Sequence, residues 1–174
     1  MALRLEDKKG FVKEVNAVAG DSLSVVAAEY RGLTVAEMTE LRKDARNSGV
    51  YLRVVKNTLA RRAIEGTDFE CMAESLKGPL LLAFAMEDPG AAARVIRGFA
   101  KEHDALKAVS LSIGGQLLPA TDLAKLADLP TLDQARAILL GVMIAPMTKL
   151  ARTLAEPPAM LARTLSARGE QAAA

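Results

Sequence analysis

The residues best placed to do chemistry in this chain are Lys56-Asn57-Thr58 and, one helical turn later, Arg61-Arg62. Lys56 ends an apolar, β-branched run (Val50 to Val55) and precedes a short segment of helical character, so the trio stands where a strand gives way to a helix. A helix start offers free N–H groups and the positive end of its dipole to an anion. Lys, Asn and Thr side chains all contact phosphate or ribose oxygens. Arg31 and Arg53 flank the same strand and helix turns, and short connections would bring them near Lys56, Arg61 and Arg62. The competing reading is a solvated helix whose charges pair within it, for example Glu40 with Lys43.

Charge is distributed unevenly along the chain. The whole 174 residues carry a net +2, but residues 31–62 hold eight bases against three acids, while residues 63–130 hold six bases against ten acids. A localised basic stretch points to a polyanionic partner more strongly than the net charge does. Aromatic residues are scarce on the candidate strands, which argues against readout by base stacking and favours folded RNA recognised by shape and phosphate.

Catalysis finds little support. His103 is the single histidine and sits among Lys101, Glu102 and Asp104, as a solvated surface residue would. Cys71 is the single cysteine and reads as a semi-buried structural thiol, so neither a disulfide framework nor a cysteine metal site is expected. Gly114-Gly115 reads as a turn rather than a phosphate loop. No cofactor or metal is expected. An enzyme with an anion site at Lys56 and the following helix start is the alternative function, and it lacks a nucleophile or base nearby.

These residues need a scaffold, and the punctuation of the sequence supplies one. A helix is expected from about Leu5 to Ala19, stopped by Gly20, with Leu5, Phe11, Val12, Val15 and Val18 as its buried stripe. Ser22 to Tyr30 reads as a strand. Thr34 with Glu37 three residues on is a capping box for a helix ending near Ser48-Gly49. Strands follow at 50–55, 80–85, 106–113 and 116–118, with helices at about 57–66, 88–102 and 121–127. That alternation describes an α/β (α+β) domain over residues 1–130: a mixed sheet covered by helices, followed by a long helical tail over 131–174.

The tail repeats itself. Leu150-Ala151-Arg152-Thr153-Leu154 recurs as Leu161-Ala162-Arg163-Thr164-Leu165, and Pro146 and Pro157 each stand four residues before a copy. Eleven residues are about three helical turns, so the leucines return to nearly one face. One more step back places Leu139 and Met143 on the leucine positions, though that unit lacks the arginine and has Ala135 in place of the proline. An apolar stripe repeated in this way reads as a row of docking sites, with prolines separating the units and Gly141 allowing close approach. The longest apolar run, Ala137 to Met147, is about half a membrane span, so a soluble intracellular protein with no membrane partner is expected.

Several stretches together carry a family resemblance: Tyr30-Arg31-Gly32-Leu33-Thr34-Val35, Met38-Thr39, Leu41-Arg42, Gly49-Val50 and Val54 through Ala63. With Gly78-Pro79, Gly114-Gly115 and Leu129-Pro130-Thr131, they resemble the bacterial ribosomal stalk-base protein of the large subunit, the L-ten family. The resemblance spans nearly the whole chain and is weakest over 64–77. It implies a non-enzymatic ribosomal protein in the cytoplasm. The N-terminal domain is then expected to bind large-subunit ribosomal RNA beside a stalk-base protein of the L-eleven family. The C-terminal helix is expected to anchor dimers of the acidic stalk protein, which recruit translation factors. On that footing Arg31, Arg53, Lys56, Asn57, Thr58, Arg61 and Arg62 are the RNA candidates. Leu139, Met143, Leu150, Leu154, Leu161 and Leu165 are the seats for three stalk dimers.

Overall fold

The computed structural model describes residues 5–103 and 105–173. The chain divides into two compact units, Met1–Thr131 and Leu132–Ala174. In the first, the elements run α1 (Leu5–Asp21), β1 (Ser24–Glu29), α2 (Val35–Asn47), β2 (Val50–Val54), α3 (Asn57–Ile64), β3 (Leu80–Ala85), α4 (Ala91–Glu102), β4 (Lys107–Ile113), β5 (Gln116–Pro119) and α5 (Leu123–Ala127). Single 3₁₀ turns occupy Glu70–Met72 and Ala120–Asp122.

Local chemistry accounts for most of these boundaries. Thr34 Oγ1 accepts from the Glu37 N–H at 3.3 Å and the Glu37 carboxylate accepts from the Thr34 N–H at 2.7 Å, the reciprocal cap expected of this pair. Gly49 has φ +67° and its N–H donates to the Arg46 carbonyl, so it turns the chain from α2 into β2 in a conformation that a side chain would strain. Gly114 and Gly115 both have positive φ and join β4 to β5 as a two-residue hairpin closed by the Ile113–Gln116 pair. Gly20, in contrast, does not stop α1, which runs on to Asp21. A lone glycine weakens a helix without ending it when the flanking turns are packed, and Val15 and Ala19 are buried here.

The five strands lie in the order β2-β3-β1-β4-β5, and every pairing is antiparallel, whereas a mixed sheet was expected. The helix crossovers explain both facts. β1 and β2 run the same way around α2 but leave a gap, which β3 fills in the opposite direction; β3 and β4 do likewise around α4, with β1 between them. This interleaving of two split βαβ units is the ferredoxin-like arrangement.

Helices cover both faces of the sheet. On one, Leu41 and Ala45 of α2, Ile96 and Phe99 of α4 and Leu126 of α5 pack on Val26, Leu81, Ala83 and Leu111. On the other, Val15 of α1, Leu59, Ala63 and Ile64 of α3, and Phe69, Met72 and Leu76 of the connection pack on Val25, Leu82 and Phe84. Strands enclosed on both sides need apolar residues at every position, and β3 (Leu80 to Ala85) is buried throughout. Two serines on β4 tie down the connection between α3 and β3: Ser110 Oγ lies 3.0 Å from Ser75 Oγ, and Ser112 Oγ lies 3.3 Å from Cys71 Sγ.

The second unit is a single helix, α6 (Leu132–Ala173), which passes through Pro146, Pro157 and Pro158 without interruption. The expected breaks at the prolines are absent. Each proline withdraws one N–H donor and frees one carbonyl a turn earlier, and the neighbouring Ala, Leu and Met residues are strong helix formers that carry the helix across the gap.

Candidate nucleic-acid interface and tail surface

β2 is an edge strand, and two clefts flank it. One, of about 440 Å³, lies where β2 passes into α3 and is lined by Tyr30, Val54, Val55, Lys56, Asn57, Thr58, Gly78, Pro79 and Leu80. The structure therefore brings three of the candidate residues together, Lys56, Asn57 and Thr58. Lys56 caps α3 through its backbone, its carbonyl accepting from Leu59 and Ala60 at 2.8 and 2.9 Å, while its side chain is exposed and engages none of the described residues. Asn57 is committed locally, its Nδ2 donating to the Gly78 carbonyl at 2.9 Å, which holds the two rims of the cleft together.

The second cleft, of about 420 Å³, runs along the outer side of β2 between Arg42 and Arg46 of α2 and Arg53. Arg42 and Arg46 stand one turn apart, exposed, and form no ion pair among the described residues. The pairing of α2's own charges, Glu40 with Lys43, does not occur. Sequence reasoning passed over Arg42, Arg46 and Tyr30 as site residues. The signal for the arginines was their i, i+4 spacing inside the basic stretch.

Two other candidates, Arg53 and Arg61, make side-chain bonds within the fold. Arg53 donates to Glu14 Oε1 at 2.9 Å and to the Tyr51 hydroxyl at 2.8 Å, and its guanidinium lies 4.8 Å from the centre of the Phe11 ring. It fastens β2 to α1, and its charge is offset by Glu14. Tyr51 in turn donates to Glu14 at 2.8 Å, and burial, reinforced by that hydrogen bond, pushes its hydroxyl pKa up. Arg61 donates to the Leu76 carbonyl at 2.9 Å and anchors the loop after α3. Arg62 is exposed on α3 and lines a different cleft, shared with α1. Arg31 is exposed in the turn after β1 and lines neither cleft beside β2.

His103 is not the freely solvated residue expected. Its ring stacks on Phe99 with centroids 4.3 Å apart, and its Nδ1 lies 3.6 Å from Glu37 Oε1. The hydrogen bond from the Thr34 N–H, aided by the Thr34 hydroxyl and by His103, holds the Glu37 carboxyl below its ordinary range against a smaller opposing effect of burial.

On α6 the six expected docking residues are all exposed, from 60% for Leu139 to 72% for Leu154. In an unbroken helix the three pairs recur at about 16 Å intervals, each turned by about 20° from the last, so they form one continuous stripe. Gly141 falls on the opposite side: two residues from both Leu139 and Met143, it is rotated about 160–200° away from them. It cannot ease a partner's approach to that stripe. By length and composition alone, Leu132–Gln171 is also long and apolar enough to cross a membrane.

The chain matches the family model described as "Ribosomal protein L10" over residues 4–101 and that described as "Ribosomal protein uL10 C-terminal region" over residues 129–155. It belongs to the ribosomal protein L10 family. Among curated relatives, the large ribosomal subunit protein uL10 of Thioalkalivibrio sulfidiphilus is 61% identical over 171 residues, covering 98% of this chain and 97% of the relative. The proteins of the same name from Alkalilimnicola ehrlichii and Nitrosococcus oceani are each 59% identical, covering 96% and 98% of this chain and 95% and 92% of theirs. The family is structural rather than catalytic, which disposes of the enzyme reading of Lys56. The C-terminal match contains the units at 139–143 and 150–154, and the unit at 161–165 lies beyond it.

Proposed function

We propose that this chain is a structural constituent of the large ribosomal subunit and forms the base of its stalk, in the cytoplasm. Its first unit binds large-subunit ribosomal RNA beside a stalk-base protein of the L-eleven family. Its terminal helix anchors three dimers of the acidic stalk protein, which bring translation factors to the ribosome. The observation that carries the reading is the stripe on α6: three apolar pairs, each about two-thirds exposed, recurring on one face of an uninterrupted helix. A step of about 16 Å between pairs suits partners two helices wide, since packed helices lie about 8–10 Å apart. Each pair would seat in an apolar groove of one dimer, helix against helices.

The RNA-facing surface in this reading is the β2 edge. Among the described residues, Lys56 and Thr58 at one end and Arg42 and Arg46 along the side are unpaired donors, and Arg31 and Arg62 extend the positive field. Arg53, Asn57 and Arg61 shape that surface through their internal bonds. Phosphate contact rather than base readout suits such a set. Native mass spectrometry of the full chain with purified acidic stalk protein tests the tail: one chain with six copies is expected, falling to four on deletion of residues 157–174. A wild-type complex with four copies removes the Leu139–Met143 site. Co-sedimentation with large subunits tests the first unit, and a chain that stays free of them defeats the ribosomal assignment.

A further inference from the structure

A third cleft, of about 320 Å³, lies between α1 and α3, and its lining is Lys8, Lys9 and Lys13 from α1, Leu59 and Arg62 from α3, and Val12 beneath them. In sequence these lysines fall in a stretch whose net charge is slightly negative, and only the packing of α1 on α3 sets them beside Arg62. That packing is firm: Val15, Ala60 and Ala63 are buried, and Asn16 Nδ2 donates to the Ala63 carbonyl at 2.8 Å. All four cations are exposed, and none forms an ion pair or side-chain hydrogen bond among the described residues. Glu6, the acidic residue nearest Lys9 on the helix surface, pairs with none of them. Arg53, by comparison, is paired with Glu14, and Arg61 donates to the Leu76 carbonyl.

Four unpaired like charges around one cleft repel one another and create a local positive potential, which an anionic ligand relieves. We infer that this cleft is a second phosphate-contact site for ribosomal RNA, held by Lys8, Lys9, Lys13 and Arg62; it rests on the RNA-binding reading proposed above. The occupant is a polyanion rather than a small anion, because four cations line this one cleft and Lys56 caps the same helix that carries Arg62, about 9 Å away along the axis and about a third of a turn round it, so only an extended chain of phosphates reaches both clefts. An anionic membrane is the poorer fit. Binding flat on a bilayer needs protruding apolar side chains, and here the apolar residues form the floor, with Leu59 only 8% exposed.

The test uses the full chain and in-vitro-transcribed large-subunit ribosomal RNA, with affinity measured across a salt series. Lys8→Gln/Lys9→Gln/Lys13→Gln should weaken binding at least about tenfold at low salt and flatten the slope of log affinity against log salt by about two to three units. Lys56→Gln, measured in parallel, should flatten it by about one. If the triple variant keeps the wild-type slope while Lys56→Gln lowers it, the α1 cleft is not an RNA site and the β2-edge reading stands. If wild-type protein binds the RNA with no salt dependence, the phosphate-contact reading fails as a whole. Vesicles containing phosphatidylserine serve as the other arm: lysine-dependent sedimentation with them, without any change in RNA affinity, overturns the inference in favour of a lipid surface.

Discussion

Replacing Leu161 and Leu165 together by alanine probes the tail at its terminal unit. The two side chains are 66% and 71% exposed, so nearly all of their apolar surface is available to a partner. Full burial of a leucine side chain is worth about 1.5–3 kcal/mol, so two leucines burying about two-thirds of themselves contribute about 2–4 kcal/mol to one site. At about 1.4 kcal/mol per tenfold change, that site should weaken by about 30- to 700-fold. Alanine is the best helix former, so α6 is retained. The other units lie about 16 and 33 Å away along the axis, far enough for their affinities to be independent. Isothermal titration calorimetry with the acidic stalk protein should then show stoichiometry falling from six copies to four, with the remaining sites at wild-type affinity. Ile138→Ala, which removes apolar surface away from the stripe, should keep six. Six copies bound with unchanged affinity by the double variant would refute the seat at Leu161 and Leu165. Loss of all binding would refute the idea that the stripe consists of separate units.

Four further outcomes follow from the first unit. Arg53→Met keeps the stem against Phe11 but loses the Glu14 pair and the Tyr51 hydrogen bond; chemical denaturation should show a loss of about 1–2 kcal/mol, with the salt slope of RNA binding unchanged. Thr34→Ala should cost about 1 kcal/mol through the lost cap. Because the folded-state pKa of Glu37 lies below its ordinary 4.5, its contribution is present above that value and lost as pH falls through the folded one; Glu37→Gln should therefore flatten the acid side of the stability–pH profile. A chain ending at Thr131 should keep a single cooperative unfolding transition, since every buried core residue among those described lies at or before Ala127; loss of that transition would mean that α6 is needed for folding.

Wherever a few neighbouring residues decide a backbone conformation, the sequence was legible. The capping box at Thr34 and Glu37, the positive-φ glycines after α2 and between β4 and β5, and the all-apolar β3 stand where local rules put them. So does the eleven-residue repeat, because helical periodicity converts a spacing directly into a face. Gly20 and the prolines of α6 were misjudged for a related reason: a helix-breaking propensity is an average cost, and the surrounding turns can outweigh it.

Tertiary structure alone decided how the strands pair and which charges are free. Nothing local states that β3 fills the gap left by the β1-α2-β2 crossover, so the all-antiparallel order was not legible. Arg53 is neutralised by Glu14, 39 residues earlier, and Asn57 is held by Gly78, 21 residues later, while Lys8, Lys9 and Lys13 meet Arg62 across two packed helices. A count of charges along the chain weighs every cation equally. Folding does not, because electrostatic and hydrogen-bonding energies depend on distance in space and on burial, and neither is a function of distance along the chain.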